Sequence, residues 1–67
     1  MTLNKARELI EVQVKMAGGY NRNSARLILA EVEKEHGRQA VDQLIRDFDL
    51  EAVFGFKPGS SFQMRSD

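Results

Sequence analysis

The chain has 67 residues, the length of one small domain. It carries 10 Lys+Arg against 10 Asp+Glu, a formal net charge of zero with its single His neutral, and it contains no Cys and no Trp. This composition argues against a disulfide-stapled secreted fold, a cysteine–zinc site, thiol chemistry and a strongly basic nucleic-acid coat. In chain order, the first predicted element is a helix over about 3–17, with Thr2 or Asn4 as its N-cap. Ala6, Leu9, Ile10, Gln13, Met16 and Ala17 recur on one face, while Lys5, Glu8, Glu11 and Lys15 lie mostly opposite. Gly18-Gly19 is expected to stop this helix through a left-handed glycine cap.

Tyr20 to Asn23 reads as a connection, with Asn21 or Asn23 capping a second helix over about 24–36. Its apolar face is Ala25, Ile28, Leu29 and Val32, flanked by Leu27 and Ala30. Lys34 and His36 followed by Gly37 form a stop signal. Val41, Leu44, Ile45 and Phe48 then predict a third helix over about 38–48. A break at Gly37 is favoured over one long helix, because Ala40 is the only apolar residue between Val32 and Val41. Asp49 is a candidate cap for a short helical turn over 50–54, which Gly55 ends. Lys57-Pro58-Gly59 suits a type II turn. The expected fold is therefore all-α: a small bundle of three helices, a short helical turn and a C-terminal arm, divided as 1–55 and 56–67.

Apolar residues make up 42% and charged residues 30%, as in a globular chain. A core this small supplies about 3–5 kcal/mol net, so tight helix packing, oligomerisation or a bound partner is expected. No apolar run approaches the roughly 18 residues of a membrane span. Met1 to Val14 mixes charged and apolar residues, unlike a signal peptide. A cytoplasmic location is the expectation. Charge is unevenly spread: net +3 over residues 1–29, −4 over 30–51 and +1 over 52–67. Such asymmetry can steer a charged partner, although two solvated helix faces of opposite sign would look the same.

No catalytic constellation is evident. Ser24, His36 and Asp47 supply a Ser/His/Asp set with no spacing that requires them to meet. His36 reads as a helix-end cation against the last carbonyls of its own helix. Glu31, Glu33 and Glu35 alternate, which splays them around a helix instead of converging them on a metal. Gly18-Gly19 lacks the remaining features of a dinucleotide loop. No enzyme activity, cofactor or metal is expected. A helix-turn-helix at Gly37 would present Asp42, Asp47 and Asp49 to phosphates, against the electrostatics of binding.

Two binding surfaces follow from the residues. The favoured one is an apolar, aromatic patch for a protein partner or a second copy, formed from Tyr20, Phe54, Phe56, Phe62 and Met64. Phe62 and Met64, beyond the Pro-Gly turn, are expected to be the freest. The competing structural reading folds the tail back so that Phe54, Phe56 or Phe62 closes the core. The alternative function is a nucleic-acid-binding regulator, dimeric, using Lys15, Arg22 and Arg26 beside Tyr20 and Asn23 at the start of helix 2. No membrane partner is expected.

Met16-Ala17-Gly18-Gly19-Tyr20, then Ala25 and Leu29, followed by Gly37-Arg38-Gln39-Ala40-Val41-Asp42-Gln43-Leu44-Ile45, resembles the ubiquitin-associated (UBA-like) three-helix arrangement. The resemblance covers about 16–45. It departs in one extra loop residue, a longer helix 2 and the aromatic tail. It implies a protein-binding surface on the first loop, at Met16 and Tyr20, together with the end of helix 3.

Overall fold

The computed structural model describes residues 1–60 and 62, and these form four helices and no strand. They are α1 (Leu3–Met16), α2 (Gly19–His36), α3 (Arg38–Asp47) and α4 (Leu50–Phe54). A small helical bundle is thus the observed architecture. No helix of the described residues is long and apolar enough to cross a membrane.

Thr2 caps α1 as expected, its hydroxyl accepting from the Lys5 N–H at 3.1 Å. The stop of α1 differs from expectation. Ala17, not a glycine, takes the left-handed conformation (φ 46°, ψ 33°) and donates its N–H to the Gln13 carbonyl at 2.8 Å. Gly18 is extended (φ −94°) and stands as the N-cap of α2. Glycine at 18 leaves room for the Asn21 side chain: a Cβ there would lie 3.0 Å from Asn21 Oδ1, which accepts from the Gly18 N–H, and would press on that bond. The Asn21 amide also donates back to Gln13 Oε1 at 2.9 Å, locking the corner between the helices.

α2 consequently begins at Gly19 and not near residue 24. Tyr20 to Asn23, expected as a loop, is its first turn. These residues show no apolar period, and the capping by Asn21 that makes them helical is a side-chain contact invisible to periodicity. The break at Gly37 is present: its N–H donates to the Glu33 carbonyl at 2.9 Å, and its φ of 88° with ψ of 173° ends one helix and opens the next. α3 closes one residue early, with Phe48 as its cap. Asp49 precedes α4 in the left-handed region but its side chain makes no cap hydrogen bond, correcting its expected role. The Lys57–Ser60 turn forms as expected, with Ser60 N–H donating to the Lys57 carbonyl at 3.3 Å and Gly59 at φ 86°.

α1 and α2 pack antiparallel. At one end the Met1 amino group bonds both Glu35 oxygens at 2.7 and 2.8 Å, and His36 Nε2–H donates to the Met1 carbonyl at 2.8 Å. His36 therefore ties the two helices together, instead of facing its own helix end. α3 returns so that Asp47 meets Arg7 at 2.8 Å, with the Arg7 guanidinium 5.3 Å from the Phe48 ring centre. The core is Ala6 and Ile10 from α1, Ala25, Leu29 and Val32 from α2, Val41, Leu44 and Ile45 from α3, and Leu50 and Phe54 from α4.

Phe56 and Phe62 complete this core: Phe54, Phe56 and Phe62 are all buried, Phe62 to 6% exposure, which bears out the reading that the tail folds back to close the core and corrects the expected exposed aromatic patch. The chain reverses at Pro58-Gly59 and returns along α2. Gly59 N–H donates to Asp42 at 2.8 Å on α3, and Phe62 N–H donates to Glu33 at 3.4 Å on α2. The rings of Phe54 and Phe56 are 5.8 Å apart, and those of Phe56 and Phe62 5.3 Å apart, edge to face. Three short helices leave one side of the core open, and burying an aromatic ring there stabilises by about 1.5–3 kcal/mol. Met64 lies outside the described residues.

Gly37→Ala should destabilise the fold by about 1–3 kcal/mol, because its backbone conformation is essentially reserved for glycine although space for a Cβ exists; a urea midpoint unchanged from the parent would contradict this. A second expectation concerns acid. Arg7, then Gln43, hold the Asp47 carboxyl below its usual range by hydrogen bonding, and the Met1 amino group does the same for Glu35. Depressed carboxylates stabilise the fold above their unfolded-state values, and that contribution is lost as pH falls through the lowered ones. Stability should therefore drop below about pH 4, with a shallower drop in Asp47→Asn, as read from thermal midpoints between neutral pH and pH 2.

Candidate protein-binding surface

Packing separates the sides of each helix. On α1, Gln13 meets α2 and Arg7 meets the end of α3. On α2, Ala25, Leu29 and Val32 face the core, and Asn21 and Glu35 face α1. Arg22 faces Phe56, and Ala30 and Glu33 face Phe62. What remains is the outer side of the α1–α2 hairpin, turned away from α3 and α4. It carries Val12 and Met16, one helical turn apart on α1, and Tyr20 and Leu27, two turns apart on α2.

These four are large apolar or amphipathic side chains left in water: Val12 is 46% exposed, Met16 69%, Leu27 60% and Tyr20 90%. The Asn21 amide lies 3.5 Å from the Met16 sulfur, so the same residue that closes the helix corner also places Met16 beside the start of α2. Of the described residues in the expected aromatic patch, Tyr20 is on this surface, beside Met16, which the UBA-like resemblance implies. In the sequence Leu27 reads as the flank of a core stripe, and Val12 carries no separate signal. Leu27 lies off the Ala25–Leu29–Val32 line, but a flanking leucine has the same spacing whether it is covered or bare.

The expected basic surface does not assemble as three free cations. Lys15 pairs with Glu11 at 3.3 Å on the exposed side of α1. Arg22 is committed inward: its Nε–H donates to the Phe54 carbonyl at 3.0 Å and its guanidinium lies 4.9 Å from the Phe56 ring centre. Arg26 makes no hydrogen bond or ion pair among the described residues, and it edges an open groove of about 250 Å³ with Asn23, Leu27, Ala30 and Phe62. The polar side of α3 is used within the fold as well, through Asp42, Asp47 and the Arg38–Glu33 pair at 3.8 Å. Ser24 and His36 lie on one helix, separated by about 18 Å of axial rise, so no triad forms with Asp47.

The UBA-like resemblance implies a surface joining Met16 and Tyr20 to the end of helix 3. Met16 and Tyr20 are exposed, but Tyr20 stands in the first turn of α2 instead of in a loop. The end of α3 sits beside Arg7, about 13.5 Å along α1 from Met16. The two parts of the implied surface are thus not brought together. The chain matches no protein-family model, no curated protein and no solved structure.

Arg22→Ala should lower stability by about 1–2 kcal/mol through loss of the Phe54 bond and the stacking on Phe56. Arg22→Lys, which keeps the charge but not the planar fork, should recover little of it in urea denaturation. Full recovery by lysine would show that charge alone matters there.

Proposed function

We propose that the chain is a small non-enzymatic protein-binding module, a regulator or adaptor in the cytoplasm, which docks through the outer face of the α1–α2 hairpin. The observation that carries this reading is Tyr20, 90% exposed beside Met16 and Leu27 in a chain that buries Phe54, Phe56 and Phe62. Tyrosine is enriched among the residues that dominate interface energetics, since it offers a large rigid apolar body and a polar tip at low entropic cost. Methionine adapts its shape to the surface it meets. The hairpin presenting them is stiffened at both ends, by Asn21 at the corner and by the Met1–Glu35 pair at the opening. The surface is therefore largely preorganised, which reduces the ordering cost of association.

A photo-reactive phenylalanine analogue placed at position 20 should form discrete adducts with a polypeptide when irradiated in the cytosol of a producing cell. The same group at Arg46, on α3, should form few. Equal adduct yields from the two positions would overturn the assignment of the docking face.

A further inference from the structure

We propose that the edge of the docking face beside Phe62 receives an acidic polypeptide segment, with one bulky apolar side chain entering the groove between Leu27 and Phe62 and a neighbouring carboxylate pairing with Arg26. This rests on the reading of the outer hairpin face as a docking surface, and it names the chemistry that the partner presents there.

The groove holds about 250 Å³ and is lined by Asn23, Arg26, Leu27, Ala30 and Phe62. The buried Phe62 and half-buried Ala30 lie deepest, and the exposed Asn23, Arg26 and Leu27 form the rim. Small-molecule sites usually measure roughly 300–1,000 Å³ and enclose most of their ligand. This groove is smaller and open to solvent, which suits one large side chain of a polypeptide.

Electrostatics choose the sign of that polypeptide. Arg26 makes no hydrogen bond or ion pair among the described residues, unlike Arg7, Arg22 and Arg38. Lys34 is likewise exposed and unpaired among them. It continues the Asn23–Ala30 line of α2 about 6 Å beyond Ala30. The nearby acids are already engaged: Glu33 with Arg38 and the Phe62 N–H, Asp42 with the Gly59 N–H, and Glu31 with Glu35. Glu31 also stands about 100° around α2 from Ala30, toward α1.

A carboxylate that reaches the Arg26 guanidinium can take two parallel N–H donors, with the Asn23 amide as a third. Apolar contact on Leu27 and Phe62 excludes water beside that pair and strengthens it. A basic segment would set like charges against Arg26 and Lys34. Nucleic acid draws its affinity from many cations along a backbone, and only these two stand at the groove.

The chain contains no Trp, so the fluorescence of a Trp-bearing probe reports binding directly. The probe is the blocked peptide acetyl-Asp-Glu-Trp-Glu-Asp-amide, and its counterpart carries Lys in place of each acid. Adding the chain should shift the acidic probe's emission to the blue and raise its anisotropy, with an affinity at least about tenfold above that of the Lys probe. Arg26→Glu should weaken the acidic probe at least about tenfold. Arg46→Glu, the same charge change on α3, should leave it within about twofold, and both variants should keep the parent's helicity by circular dichroism. Equal losses in the two variants overturn the proposal. So does an absence of binding up to about 1 mM, the result expected were residues 63–67 of the chain itself to fill the groove. Tighter binding of dodecanoate or of oligothymidylate than of the acidic probe overturns the assignment to a polypeptide. Discrete position-20 adducts without binding of the acidic probe overturn the groove while leaving the docking face standing; adducts that do not depend on position overturn both.

Discussion

The return of Phe56 and Phe62 onto the seam between α2 and α3 is the interaction on which the other features depend. α1 contributes two fully buried apolar residues and α3 three, too few to enclose a core. The segment after α4 supplies the missing side. Arg22 holds that segment by stacking on Phe56 and bonding the Phe54 carbonyl, and Glu33 and Asp42 receive its N–H groups. Once these aromatics are committed to closure, they are unavailable for recognition. Val12, Met16, Tyr20 and Leu27 stay in water on the hairpin, with Leu27 at the edge of the groove that Phe62 lines.

The same closure explains the electrostatics. Along the chain, residues 1–29 are net positive and residues 30–51 net negative. In space the two halves are laid against each other: Arg7 on Asp47, the Met1 amino group on Glu35. The linear separation of charge is therefore partly consumed as internal pairing, leaving less of it as a steering field. Exposed pairs of this kind contribute little each.

Much of the fold was legible in the residues, and the reasons differ by element. α1 and α3 announce themselves through a 3.6-residue apolar period, α1 also through its Thr2 cap, α4 through the glycine that ends it, and Gly37 through the gap in apolar residues around it. The start of α2 was hidden because the Asn21–Gly18 bond is a local side-chain device that makes a polar stretch helical. The destination of the phenylalanines was hidden for a different reason. Phe54, Phe56 and Phe62 follow no period, and only the Pro58-Gly59 reversal and the Arg22 contact determine which way the rings turn. Tyr20 was recognised as a surface candidate, whereas Leu27 needed the packed structure to separate a bare flank from a covered one.

The connection between α1 and α2 is only Ala17 and Gly18. Neighbouring helices joined so tightly assemble through contacts of small sequence separation, which form early and fast. The ties between Arg7 and Asp47 and between Phe62 and Glu33 span 40 and 29 residues and close larger loops. The order of assembly that follows places the hairpin first and the aromatic seal last. Tyr20 and Leu27 stand on the hairpin, the part of the fold whose contacts close the shortest loop.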